Sequence, residues 1–234
     1  MRGLSLKVKV HLNFLFYHIS QELILESVNE FEKAVPMMMT AAGTYPPAKG
    51  LVLGAGVAGL QAIATGRRLG AVMQAFDVRP TVKEEVESLG GIFVGMTPDG
   101  ADVQDSGGYA KELQEDTQEA GRRLIQKHSS EADFVISTAM IPGRPAPILI
   151  TEDMVRSMKP GSIIIDIAAE TGGNCELTVP GEEVIIQDIT IYGRLNLPST
   201  MPNHASQMYS KNISALLAHV LADNILSLDF NDAI

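Results

Sequence analysis

Tryptophan is absent from this sequence, and tyrosine and phenylalanine together make up 5% of its 234 residues. The core must therefore be built from Ala, Val, Ile, Leu and Met. Cysteine occurs once, as Cys175, which excludes an internal disulfide framework and a multi-cysteine zinc site. No apolar run approaches the ~18–20 residues needed to span a bilayer. Basic residues are outnumbered 18 to 28, a net charge of −10, which argues against a nucleic-acid partner. The sequence has no G-x-S-x-G, no H-E-x-x-H and no P-loop. Its histidines, His11, His18, His128, His204 and His219, are scattered without metal-like spacing.

What is present fits a soluble globular chain, with 45% hydrophobic and 20% charged residues. The length suits one large domain, or one domain and a portion of a second. Charge is uneven, because residues 1–21 hold Arg2, Lys7 and Lys9 and no acid. Such a basic, apolar start invites comparison with a secretory signal. Lys7, Lys9 and His11 break its apolar run, however, and no Ala-x-Ala follows. The expected location is cytosolic, with attachment to a membrane only through a partner.

Hydrophobic spacing predicts an amphipathic helix over 21–35, then a loop through Met37-Met38-Met39, Gly43 and Pro46-Pro47. Beyond Lys49 the pattern alternates. Strands are expected at 50–53, 72–78, 92–95, 133–140 and 162–168. Helices are expected at 57–69, 81–89, 112–128 and from Thr151, with a polar, Gly-rich stretch at 97–109. One or two strands follow over 184–193, and a long helix lies within 203–228. This order implies an α/β fold, a Rossmann-type doubly wound parallel sheet. The two long helices that bracket it belong to an incomplete second domain. The expected division is a divergent start and helix over 1–35, the dinucleotide domain over 36–198 and a returning helix over 199–234.

Gly54-Ala55-Gly56-Val57-Ala58-Gly59 is a G-x-G-x-x-G between the apolar strand Leu51-Val52-Leu53 and an apolar helix. Each glycine has a task. Gly54 permits a tight turn, Gly56 lets a pyrophosphate approach the backbone, and Gly59 lets helix and strand pack closely. The phosphates would sit at the helix N-terminus, where unpaired N–H groups and the dipole favour anions. Asp77, 18 residues after Gly59 at the end of the next strand, would accept hydrogen bonds from the adenosine ribose and repel a 2′-phosphate. Arg79 pulls the other way, since an Arg can host that phosphate. The strand-end position of Asp77 gives it the greater weight and favours NAD over NADP. Cys175 reads as a buried small residue.

Longer stretches carry a family resemblance. They are Met37 to Thr44 with Pro46-Pro47-Ala48, Gly54 to Ala64, Asp77-Val78-Arg79 and Glu87-Ser88-Leu89-Gly90-Gly91. Gly107-Gly108-Tyr109-Ala110-Lys111-Glu112 and Ser137-Thr138-Ala139-Met140-Ile141-Pro142-Gly143 follow, then Pro145-Ala146-Pro147, Lys159-Pro160-Gly161-Ser162 and Gly172-Gly173-Asn174-Cys175. Over roughly residues 26–226 the chain resembles the NAD(H)-binding domain I of the proton-translocating nicotinamide nucleotide transhydrogenase alpha subunit. Alanine dehydrogenases are its wider relatives. The resemblance implies hydride transfer between NADH and NADP⁺ coupled to proton translocation. NAD(H) would be bound here and NADP(H) on a partner domain, with a membrane domain as further partner. It also implies a homodimer at the cytoplasmic side of the inner membrane, peripheral to it through partner subunits. Gly54, Gly56 and Val57 would lie along the pyrophosphate, and Asp77, Val78 and Arg79 around the adenosine. Gly108 and Tyr109 would belong to a mobile loop, and Ala139 and Met140 to the strand end beside the ligand. No catalytic acid, base or metal ligand is implied, since direct hydride transfer needs position, closeness and exclusion of water.

The chain departs from the family in three places. The front domain with its Arg-Gln-Asp loop has no counterpart here. Gly121 stands where the family commonly places Gln, and the family's tail beyond Ile234 is missing. The expectation is thus an N-terminally truncated unit that does not turn over alone. Two alternatives stand beside it. One is an alanine dehydrogenase-like oxidoreductase, disfavoured because Glu170-Thr171-Gly172-Gly173 replaces that family's Asp before Gly-Gly. The other is a non-catalytic NAD-binding remnant.

Overall fold

The computed structural model describes residues 24–25, 31, 33–95, 115–141, 143–222 and 225–226. Most of the helix expected over 21–35, the polar stretch after residue 95, and Gly108 and Tyr109 lie outside the described residues.

The first described pair of strands corrects an expectation. The stretch read as a loop holds a small exposed antiparallel hairpin, β1 (Met38–Thr40) with β2 (Gly43–Tyr45). Gly43 turns it with φ +136°. The Thr40 hydroxyl ties the turn by accepting from the Ala42 N–H and donating to the Gly43 carbonyl, both at 3.2 Å.

The alternating unit then runs β3 (Lys49–Leu53), α1 (Val57–Arg68), β4 (Val72–Phe76), α2 (Lys83–Ser88) and β5 (Ile92–Val94). It continues through α3 (Glu115–Glu131), β6 (Phe134–Ser137), α4 (Glu152–Arg156) and β7 (Ile163–Asp166). β8 (Glu183–Ile186) and β9 (Ile189–Tyr192) complete it. Among the described residues these strands form a seven-stranded sheet in the order β5-β4-β3-β6-β7-β9-β8. All neighbours are parallel except β8 and β9. That last pair is a hairpin turned by Gln187 and Asp188, both at positive φ, the twist that joins antiparallel strands tightly. The chain winds outward from β3 to β5, then returns to lay β6 on the other side of β3. The crevice between β3 and β6 is therefore the topological switch point, where ligands of open α/β sheets bind.

Side-chain alternation sorts the sheet onto two cores. Val52, Met73, Ala75, Phe134, Ile136, Ile163 and Ile165 face one side, with Ala62 and Ile63 of α1 and Val86 of α2. Leu51, Leu53, Phe76, Val135 and Ile164 face the other, with Ile125 of α3 and Met154 and Val155 of α4. Burial on both faces explains why these strands read as nearly unbroken apolar runs.

Local chemistry sets the helix ends. Thr151 caps α4 by accepting from the Met154 N–H, and Glu152 and Asp153 fill its first turn. The helix expected over 81–89 is divided. Pro80 starts a single 3₁₀ turn through Val82, and α2 begins at Lys83. The last helix, α5 (Pro202–Val220), stops short of the expected end. Leu221 and Ile225 belong instead to two-residue strands, β10 (Leu221–Ala222) and β11 (Ile225–Leu226). The helical spacing ran across Asp223-Asn224, a pair that favours turns.

At the N-terminal edge of the sheet, Asp133 accepts from Lys33 Nζ at 2.9 Å, the Lys49 N–H at 2.9 Å and Lys159 Nζ at 3.3 Å. Phe31 packs edge-on against Phe134 with centroids 6.2 Å apart. These contacts fasten the segment around residues 31–35 beneath the sheet, away from the crevice.

Candidate functional site

The crevice is built at the C-terminal ends of β3 and β6. Gly54 leaves β3 with φ +98°, a left-handed conformation that L side chains rarely adopt. A Cβ there would lie 2.9 Å from Thr138 Oγ1 and 3.3 Å from the Ala139 nitrogen. Two requirements thus coincide at one position, backbone shape and close approach of the neighbouring strand. Thr138 seals the contact by donating its hydroxyl proton to the Gly54 carbonyl at 2.8 Å. Its own N–H donates to the Leu53 carbonyl at 2.8 Å.

The three glycines differ in what surrounds them. At Gly59 a Cβ would overlap the Gly54 carbonyl oxygen, so this glycine lets α1 lie on the turn. At Gly56 a Cβ would meet nothing within 4 Å, so this glycine is not required by packing. Gly56 is the N-cap of α1 with ordinary backbone angles. No side chain caps the helix and no acid lies in its first turn. An α-helix start without a cap or carboxylate keeps N–H donors and a positive dipole end for an anion. The space at Gly56 leaves its backbone open to close approach.

Asp77 follows β4 and is buried. Its Oδ2 accepts from the Ala55 N–H at 2.8 Å, inside the glycine turn. Its Oδ1 accepts from the Arg79 N–H at 2.8 Å. Arg79 also reaches back with its side chain, Nε to Oδ1 at 3.0 Å and Nη2 to Oδ2 at 2.9 Å. The hydrogen bond to Asp77 raises the Arg79 pKa, outweighing the opposing effect of burial, and the charges of Asp77 and Glu85 add to it. Val78, between them, packs on the second core.

On the β6 side, Ala139 and Met140 are half-buried. Sequence reasoning missed the groups that hold Ala139. Asn174 is fully buried, and its carboxamide grips Ala139 at both backbone atoms. Oδ1 accepts from the Ala139 N–H at 3.0 Å, and Nδ2 donates to the Ala139 carbonyl at 2.8 Å and to the Pro147 carbonyl at 2.8 Å. Asn174 is held in turn by Asp166, fully buried at the end of β7. Its Oδ2 accepts from the N–H groups of Asn174 at 2.7 Å and Cys175 at 3.0 Å and from Thr178 Oγ1 at 2.7 Å. Its Oδ1 accepts from Ser137 Oγ and the Ala168 N–H, each at 3.0 Å. The signal that could have found them was present. Asn174 follows two glycines, both at positive φ, and Asp166 closes an apolar strand. Cys175 is buried as expected, and burial pushes its thiol up to about 11.

Hydrogen bonds and close approach therefore join the glycine turn at Gly54 and Ala55 to Asp77 and Arg79 on one side and to Ala139 on the other, with Gly56 and Val57 opening α1 beside them, Met140 following Ala139 and Val78 turned onto the second core. No helix among the described residues is long and apolar enough to cross a membrane.

Comparison with known proteins extends this picture. The model of the family "Alanine dehydrogenase/PNT, C-terminal domain" matches residues 24–234. In Rhodospirillum rubrum, the first portion of the NAD(P) transhydrogenase alpha subunit is 50% identical over 202 residues, 86% of this chain and 53% of that protein. The NAD(P) transhydrogenase subunit alpha of Haemophilus influenzae is 44% identical over 218 residues, 90% of this chain and 42% of that one. An alanine dehydrogenase of Staphylococcus epidermidis is more distant, at 28% over 213 residues, 88% of this chain and 51% of that one. Among solved structures, the transhydrogenase of Sinorhizobium meliloti superposes with a TM-score of 0.76 at 41% identity. The match covers 90% of this chain and 56% of that one. An L-alanine dehydrogenase shares the fold, with a TM-score of 0.67 at 23% identity over 91% of this chain and 55% of that one. The chain thus spans about half the length of the relatives it matches. It belongs to the alanine dehydrogenase/PNT C-terminal domain family.

Proposed function

We propose that this chain is the NAD(H)-binding component of a proton-translocating NAD(P) transhydrogenase. It would act with an NADP(H)-binding domain and a membrane domain supplied by partners. The reading is supported most directly by Gly56. Its Cβ direction is empty at an uncapped α-helix N-terminus beside the switch-point crevice, which fits a pyrophosphate. Identity of 50% to a transhydrogenase subunit, against 28% to an alanine dehydrogenase, favours this reaction over amino-acid oxidation.

In this reading each site residue has a role. Gly54, Gly56 and Val57 present backbone to the pyrophosphate. Asp77, Val78 and Arg79 border the adenosine. Ala139 and Met140 form the wall on the nicotinamide side, and Gly108 and Tyr109 would close over the nucleotide. When bound, the nicotinamide ring supplies the hydride. The protein supplies orientation, closeness to the partner's ring and exclusion of water. Assembly with membrane-embedded partners would hold the chain at the cytoplasmic face of the inner membrane, and the family reading includes a homodimer.

Titration of the chain with NADH and NADPH, followed by nucleotide fluorescence, tests this. NADH is expected to bind more tightly, because the Asp77 carboxylate repels a 2′-phosphate. Tighter binding of NADPH would overturn the reading.

A further inference from the structure

A carboxylate offers about four lone-pair positions, and at Asp77 four hydrogen bonds use them. Two come from backbone N–H groups, Ala55 in the glycine turn and Arg79 itself. Those cannot leave without dismantling the turn. The other two come from the Arg79 guanidinium, which chelates the carboxylate in fork geometry through Nε and Nη2. The Asp77 side chain is 6% exposed and that of Arg79 is 18% exposed. Arg79, the more exposed of the two, is therefore the cover of this carboxylate.

A ribose 2′,3′-diol carries two O–H donors and needs two acceptor positions. The positions that can be vacated at Asp77 are the two that the guanidinium fills. We infer that Arg79 is a specificity-determining latch, whose side chain must release Asp77 before an adenosine ribose can bind there. The inference rests on the proposed NAD(H) site. The exchange is two donors for two, so the bound state gains little over the latched state at this point. Glu85 on α2 lies within electrostatic reach of the guanidinium and offers it a second acid once it turns away. A 2′-phosphate changes the balance, because it removes one ribose donor and brings its own charge to Arg79. The latch thus weakens NADH binding and narrows the margin over NADPH.

Two effects of removing Arg79 oppose each other. Release of Asp77 tightens NADH, and loss of a positive charge beside an anionic ligand weakens it. The second is screened in salt, so the first dominates at physiological ionic strength. Arg79→Ala is expected to bind NADH about three- to tenfold more tightly, the range of one partly exposed charge-assisted pair, and NADPH no better. Arg79→Lys keeps the charge but cannot chelate with two nitrogens, so it is expected to gain in the same direction, by less. Equilibrium binding of NADH and NADPH to the full chain, with the melting temperature of each variant, gives the answer. A merely structural arginine would lose affinity on replacement, not gain it. Unchanged or weaker NADH binding by folded Arg79→Ala, with the unaltered chain binding NADH, overturns the latch and leaves the site standing. If Arg79→Ala does not fold, Arg79→Lys decides by the same criterion. Failure of all three proteins to bind either nucleotide overturns the site and the latch together.

Discussion

The Asn174 side chain and the Ala139 backbone close a two-point hydrogen-bonded ring. One amide face accepts from the Ala139 N–H and donates to the Ala139 carbonyl. A side chain here does what a neighbouring strand would do, at the point where β6 has ended and the sheet offers no further partner. The third bond, to the Pro147 carbonyl, ties the next loop to the same amide. The wall of the crevice is thus set by one buried residue, which Asp166 orients.

Replacement of Asn174 by Ala would leave three backbone groups without their partner. Each such hydrogen bond contributes about 0.5–1.5 kcal/mol, and a buried orphan costs about 1–3 kcal/mol. A loss of about 2–4 kcal/mol in unfolding free energy is expected from urea denaturation. Asn174→Asp keeps the acceptor for Ala139 N–H but turns a carboxylate oxygen toward two carbonyls. It is expected to be no better than Ala. A loss below about 0.5 kcal/mol, the usual range for an uninvolved surface change, would remove Asn174 from this role.

The glycines give a sharper separation, because their surroundings differ. At Gly56 the added methyl meets open space and the backbone angles are ordinary. Gly56→Ala is therefore expected to change stability by no more than about 0.5 kcal/mol while strongly weakening NADH binding. At Gly59 the methyl would overlap the Gly54 carbonyl oxygen, so Gly59→Ala is expected to lose the fold. Thermal melting and nucleotide titration of the two variants together read this out. Equal stability losses would mean that Gly56 is there for packing.

These contrasts show where the sequence was legible. The strand-turn-helix with three glycines and a later Asp was readable because each feature is local and chemically restrictive. The alternating order of strands and helices led to the doubly wound sheet for the same reason, since both core faces are apolar. What escaped was long-range. Nothing local to Asn174 announces that its amide reaches Ala139, 35 residues earlier. The sequence marks Asp77 as an acceptor for ribose, and only the folded geometry puts the Arg79 guanidinium on its lone pairs. The end of α5 is not legible because apolar spacing continues past Val220, across Asp223-Asn224, residue types that favour turns.

His128 carries a prediction about pH. It lies at the C-terminal end of α3, and its Nδ1 is 2.8 Å from Gln74 Oε1, which can only accept, so Nδ1 bears the proton. Burial lowers its pKa from the ordinary 6.5, Lys127 and Lys49 lower it further, and Glu131 works against them. The unfolded chain therefore binds the proton more readily than the folded one. Stability from this group is full above about pH 6.5 and falls as acid drives His128 toward its lower folded value. Asp133 behaves in the same sense at more acid pH. Burial would raise it, but the Lys49 N–H and the ammonium groups of Lys33 and Lys159 outweigh that and hold it below its usual 3.8. Its contribution is lost only as pH falls below 3.8, so the two windows are separate. Urea unfolding at pH 7, 6 and 5 is expected to show a decline in the unaltered chain. His128→Gln keeps a donor for Gln74 and does not titrate, and it is expected to flatten that decline. An equal decline in His128→Gln would place the titrating group elsewhere.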